Sequence, residues 1–430
     1  MTALPTPVPT PRTEPATDAP RRGRVPALLA AMFLVNVFGY AANNAAIAVL
    51  LPSQVRSAAG DGAVAALALV NGVSAIASFG IPPLVGLMSD RTRTRWGRRS
   101  PWILAGGVLT AAALVLTGAV STVTGLVIGW FLVQATINIG LNIILATIPE
   151  GIPAKRHGLA STVQGVGIPV GGIIGVQLGA ALVDSVMVAY ALLGGLFLIA
   201  SVISAVLIRE RSNTAQDAPD LAREPMGRQF LAMFSSLRDR DYRWVFISRA
   251  VIYLGYNTVF GFSLYILQDH IVLPAGLAPA SAVATAQTTS IVFLTIGTLI
   301  SGPLVDRLGR HRGFVLISSL LLTFSIVLPL LSPSWTMFLV QAGLSGFALG
   351  AFLGVDLSLA TIVLPKTGDA GRDLGVFHIA LNAPQVVAPF VAALAVQHLG
   401  GYHALFIVGG VFAFLGSLTV LRVRPQQVTT

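Results

Sequence analysis

The 430-residue chain contains no cysteine, which excludes disulfides and thiolate metal sites. Lysine is nearly absent too, since only Lys155 and Lys366 accompany the arginines. Charge of either sign is scarce: Asp, Glu, Lys and Arg make up 10% of the residues against 54% hydrophobic, where soluble domains carry about 25% charged residues. A chain so poor in charge has no polar coat to turn towards water, so its solvent is lipid. No P-loop glycine motif occurs, which leaves direct ATP drive unsupported. No metal-ligating cluster or catalytic constellation is visible, so we expect neither a cofactor nor an enzyme.

What the sequence does have is long apolar runs of about 20 residues, the length that crosses a bilayer. We read twelve spans, near 26–51, 63–88, 101–120, 122–148, 158–183, 187–208, 243–268, 280–305, 313–331, 335–363, 372–398 and 402–422. The expected fold is an all-α integral membrane protein. Residues 1–25, rich in Pro, Thr and Arg, read as a disordered tail. Residues 26–208 and 243–424 read as two six-helix bundles, 209–242 as a polar linker, and 425–430 as a short tail.

The net charge of +10 is explained by topology, not by nucleic acid. If the N-terminus is cytoplasmic, 25 of the 27 basic residues fall on that side. Five sit in one short loop, as Arg91, Arg93, Arg95, Arg98 and Arg99. Arg56 alone falls outside, and Arg249 alone lies within a span. This positive-inside pattern predicts cytoplasmic termini and a multi-pass protein of the cell (inner or plasma) membrane.

The two halves repeat. "GLMSDR" at 86–91 returns as "GPLVDR" at 302–307, and Gly39-Tyr40 returns as Gly255-Tyr256. "LAT" at 145–147 returns at 359–361, and "FLVQA" at 131–135 at 338–342. The last two offsets differ by seven residues, so span 10 carries about two extra turns relative to span 4. Six-span halves in tandem are a transporter architecture, with the substrate site between the halves near mid-membrane.

Gly86-x-x-x-Asp90-Arg91 followed by Gly97-Arg98-Arg99, with a second copy at Gly302, Asp306, Arg307 and Arg310, resembles the signature loop of the major facilitator superfamily. "RTRTRWGRRSPW" and "RDLGVFHIALNAPQ" (372–385) are similar to the sucrose-type and glycoside–cation symporter branch. The resemblance implies a monomeric secondary transporter that moves a small polar, sugar-like solute by alternating access with proton coupling. Two alternatives stay open: proton-driven efflux of drugs or metabolites, and a non-transporting sensor on the same fold. It also implies a gating latch, with Asp90 facing the start of span 11 near Arg372 and arginines such as Arg91 and Arg98 pairing with nearby carboxylates. Spans 1 to 4 hold no mid-membrane Asp or Glu, which argues against sodium coupling through that half. In span 5, "GVGIPVGGIIG" (165–175) resembles the Gly-Pro-rich helix of drug–proton antiporters with the spacing one residue short. Close helix packing through small residues is the reading we prefer for it.

Polar side chains inside spans are costly and face partners or wet cavities. Stripes at spacings of three or four mark the candidate substrate residues: Tyr40, Asn43 and Asn44 in span 1, Gln134, Asn138 and Asn142 in span 4, and Gln164 in span 5. The C-terminal half adds Tyr253, Tyr256 and Asn257 in span 7, and Asn382 and Gln385 in span 11. Arg249, Asp356 and His378 are the candidate proton-coupling residues, lying roughly 9, 13 and 8 Å from the inner span ends at ~1.5 Å per residue. An Arg249–Asp356 pair would avoid an isolated buried charge. Most of the tryptophans fall near span ends as an aromatic belt would place them, and none is clearly at the cavity centre, leaving Tyr40, Tyr253 or Tyr256 for stacking on a sugar.

Overall fold

The computed structural model describes residues 24–208, 237–309, 311–362 and 370–423. Among the described residues, ten helical stretches are long and apolar enough to cross a membrane, or eleven if the bent pair Arg240–Phe260 and Ser263–Asp269 counts as one span. The first stretch, Val25–Arg91, is 67 residues long, about 100 Å of helix and three times a bilayer core. It breaks at Gly60–Gly62, where Gly60 takes φ 53°, a backbone conformation that glycine adopts without strain. That break divides it into two spans and brings the total to twelve.

The helices are α1 (Arg24–Ala45), α2 (Leu51–Ala59), α3 (Ala63–Arg91), α4 (Ser100–Ala119), α5 (Val123–Gly151), α6 (His157–Ala181) and α7 (Val186–Ile208). In the second half come α8 (Arg240–Phe260), α9 (Ser263–Asp269), α10 (Pro279–Leu308), α11 (His311–Val327), α12 (Trp335–Ile362), α13 (Ala370–His398) and α14 (Gly401–Thr419). Two spans depart from the expected form. Span 1 continues through a π-turn at Ala46–Leu50 into α2 and ends at Ala59. Span 7 bends by 43° between α8 and α9 at Gly261 and Phe262. Asp239 starts α8 by accepting from the backbone N–H groups of Asp241 and Tyr242, a side-chain cap that satisfies otherwise orphaned donors.

Packing follows the repeat. In the first bundle α1 lies on α6 and α7, and α4 on α5 and α7. In the second, α8 lies on α13 and α14, and α10 on α12. The bundles meet along α3 against α13 and α6 against α10. Gly171, Gly175 and Gly179 recur every fourth residue on α6, and a Cβ at any of them would strike the α1 backbone at Val37, Ala41 or Ala45. Gly346 and Gly350 on α12 meet the α10 backbone at Ser290 and Leu294 in the same way. Bare glycine faces let helix axes approach closely where lipid supplies no hydrophobic drive, so close packing accounts for the "GVGIPVGGIIG" stretch.

Candidate functional site: a cavity between the halves

Where the bundles face each other they leave a cavity of about 380 Å³, within the range of small-molecule sites. From the first half, α1 contributes Tyr40, Asn43 and Asn44, α3 contributes Asn71, Ser74 and Ser78, and α5 contributes Trp130 and Gln134. Pro169 and Gly172 of α6 complete that side. From the second half come Asn257 and Phe260 of α8, Ile291 and Leu294 of α10, and Gln385 and Pro389 of α13. Among the described residues lining it there is no Asp, Glu, Lys, Arg or His. Asn44 Nδ2 donates to the Tyr40 carbonyl at 2.9 Å, and Asn257 Nδ2 to the Tyr253 carbonyl at 2.8 Å. Each bond uses one donor and leaves the amide oxygen for a solute.

Of the striped residues, Tyr40, Asn43, Asn44, Gln134, Asn257 and Gln385 come together around this cavity. The other candidates do not line this cavity. Asn138 and Asn142 donate to the carbonyls of Gln134 and Asn138 on their own helix, at 2.7 and 2.8 Å. Each four-residue step turns about 40° past a full helical turn, so the stripe winds away from the cavity after Gln134. Tyr253 packs edge-on to Phe352, with ring centroids 6.2 Å apart. Tyr256 lines a separate, smaller chamber. Gln164 and Asn382 lie off the cavity wall. Trp130 is buried and part of the cavity lining, where no tryptophan was expected. Asn71, Ser74 and Ser78 were legible as spacings of three and four, but span 2 was not among the striped helices we singled out.

Below the cavity, Arg249 Nη1 stands 2.8 Å from Asp356 Oδ2, with both side chains at most 5% exposed. The approach is a close charge contact, too oblique for hydrogen-bond geometry, because Asp356 Oδ2 has no hydrogen-bond partner. It joins α8 to α12 and spares each an isolated charge inside the bundle. The His378 side chain lies outside the described residues.

At the arginine loop, Asp90 pairs with Arg99. Arg99 Nη2 is 2.8 Å from Asp90 Oδ1, and Arg99 Nη1 donates to Ser89 Oγ at 3.0 Å. The cause is the turn at Gly97, whose φ of 85° reverses the chain and returns Arg99 over the end of α3. Arg91, on the helix itself, is exposed. A Cβ at Gly86 or Gly302 would meet open space, so no close approach requires glycine there in this conformation. Gly309, at φ 63°, ends α10, and Arg307 is exposed. Arg310 and the side chains of Asp306 and Arg372 lie outside the described residues.

At the opposite end the halves are clamped. Arg56, the one basic residue expected outside, donates to both carboxylate oxygens of Asp269 at 3.1 and 2.6 Å. The Arg56 guanidinium lies 4.3 Å from the centroid of the Tyr265 ring, and the Tyr265 hydroxyl donates to the Pro52 carbonyl at 2.9 Å. Within the second half, the Tyr402 hydroxyl donates to Asp269 at 2.6 Å. The π-turn and the α8–α9 bend bring these partners together. Neither Asp269 nor its clamp was singled out from sequence, because the partners lie 213 residues apart.

Two pseudo-symmetric bundles around a central polar cavity define a membrane-transporter fold. The sequence pattern of the Major Facilitator Superfamily matches residues 29–285 and again 245–430, and the chain belongs to that family. The family is one of membrane transporters. An uncharacterised transporter of the family from Bacillus subtilis (strain 168), YdgK, is 33% identical over 35% of this chain. The match spans 38% of that protein's own length. The sucrose transport protein SUT1 of Oryza sativa subsp. japonica is 51% identical over 43 residues, 10% of this chain and 8% of SUT1. The nucleoside transporter NupG has the same fold, with a TM-score of 0.73 at 13% identity, covering 92% of this chain and 99% of NupG.

Proposed function

We propose that the protein is a proton-coupled secondary transporter of a small neutral polar solute of the sugar type, working as a monomer by alternating access. The observation that carries this reading is the cavity wall: amides, hydroxyls and an indole from both halves, with no ionic group among the described lining residues. Uncharged donors and acceptors suit a neutral hydroxyl-rich solute, whereas a cationic drug would leave its charge unpaired in a low-dielectric site. The short likeness to a sucrose transport protein supports the same solute class. The buried Arg249–Asp356 pair is the coupling element in this reading: a paired Asp stays ionised, and one freed from its partner gains proton affinity. The Asp90–Arg99 contact at the end of α3 is the latch element in this reading, and α3 packs against α13 of the other half. The arginine loop and both termini are placed on the cytoplasmic side by the positive-inside pattern. Uptake by proteoliposomes of sucrose, lactose, glucose and mannitol, with and without an imposed pH gradient, tests the proposal. Gradient-stimulated uptake of at least one is expected, and uptake of none contradicts it.

A further inference from the structure

A second, smaller chamber of about 30 Å³ lies in the second half between α8, α10 and α12. Its polar lining is Tyr256, Ser263, Gln287, Ser290, Gln341 and Ser345, and Phe260 is shared with the wall of the central cavity. Gln287 and Gln341 are 4% and 8% exposed, and among the described residues neither amide has a protein hydrogen-bond partner. An unpaired amide inside a helical bundle in lipid is costly. Two facing one cavity mark a space meant to be wet or filled. The volume suffices for roughly two waters or one polar group of a solute.

The repeat gives this chamber its meaning. Tyr256 is the counterpart of Tyr40, in Gly39-Tyr40 and Gly255-Tyr256. Gln341 is the counterpart of Gln134, in the two copies of "FLVQA". Tyr40 and Gln134 line the central cavity, while Tyr256 and Gln341 line the chamber. Each half therefore carries one Tyr–Gln pair on equivalent helices. Between the two pairs stands Phe260, its ring stacked on Tyr256 at 5.1 Å between centroids and 22° between planes.

We propose that the chamber is the second arm of a two-armed solute site. Tyr40 and Gln134 hold one end of a neutral solute, and Tyr256 and Gln341, helped by Gln287, hold a hydroxyl or carboxamide at the other, with Phe260 as the movable partition. This deepens the proposed function and rests on it. The occupant is neutral, because no ionic group lines the chamber, and it both donates and accepts, because each amide does.

The absence of cysteine makes the test direct. Ser345→Cys places one thiol on the chamber wall of the full-length protein. Its modification by methyl methanethiosulfonate, small and neutral, is followed with and without sucrose, lactose, glucose or mannitol, and counterflow of the same solutes is measured in proteoliposomes. The thiol is expected to react, and solutes that exchange are expected to protect it. Gln341→Leu should raise the half-protecting concentration about fivefold, the loss of roughly one net hydrogen bond, and leave modification of a Gly60→Cys control unchanged. If Gln341→Leu does not fold, Gln287→Leu carries the same expectation. An inert thiol, or a solute that exchanges without protecting it, overturns the second arm and leaves the transport reading intact. A panel in which nothing exchanges overturns the transport reading and the arm with it.

Discussion

Arg56→Gln should shift the protein towards a state open at the Arg56 end. The substitution removes the two-pronged contact to Asp269 at 3.1 and 2.6 Å and the guanidinium 4.3 Å from the Tyr265 ring centroid. Both partners of the ion pair are about a third exposed, at 34% and 32%, so solvent screens it and the pair contributes about 1 kcal/mol. The guanidinium–ring contact adds about 0.5–1 kcal/mol at such a site. Tyr402–Asp269 lies within one half and survives opening, so it is left out. The loss of about 1.5–2 kcal/mol corresponds to roughly a 10- to 30-fold change in the closed-to-open ratio. The assay is the modification rate of Asn44→Cys, a cavity-wall position, by an impermeant thiol reagent applied from the Arg56 end. The rate should rise by about that factor. Salt near 1 M, with a Debye length of about 3 Å, should raise the rate in the protein that keeps Arg56. An unchanged rate in well-folded Arg56→Gln protein would refute the clamp.

Three further expectations follow from the same geometry. Arg99→Ala should lower thermal stability by about 1–3 kcal/mol, the cost of leaving Ser89 and Asp90 without their charged partner, while Arg91→Ala should change it little; equal effects would contradict the pairing. Gly175→Leu should abolish folded expression, because a side chain there meets the Ala41 backbone, whereas Gly86→Ala should leave expression intact. His270 has its pKa lowered, first by burial and then by His403, so the packed end favours neutral imidazole. Its stabilisation is complete above the ordinary histidine value and is lost as pH falls through the lowered one. The melting temperature should therefore drop on acidification below about pH 6.5, with a smaller drop in His270→Asn.

The fold was legible because lipid makes the pattern simple: apolar runs give spans, basic residues sort to one side, and repeated motifs pair the halves. The cavity was half legible. A stripe in the sequence marks one helix face, and Tyr40, Asn43, Asn44 and Gln134 of the stripes line the cavity. The same stripe cannot say where that face leaves the cavity as the helix turns, and so Asn138 and Asn142 were carried along. The Asp90–Arg99 contact depends on a reversal at Gly97, a property of backbone direction and not of residue type. The Arg56–Asp269 clamp joins residues 213 positions apart through a π-turn and a bend, neither of which leaves a local signature.

Accumulation of solute by proteoliposomes under a controlled pH gradient, with exchange measured in the same vesicles, tests the central claim of proton-coupled transport most directly. One pH unit stores about 1.4 kcal/mol per proton, enough for roughly tenfold accumulation with one proton per solute. The account predicts accumulation approaching that ratio in the unaltered protein. In Asp356→Asn it predicts a ratio of about one with exchange preserved, because exchange needs the rocking motion and no net proton movement. Accumulation that persists in Asp356→Asn would make the Arg249–Asp356 pair a brace between α8 and α12 and place proton coupling elsewhere.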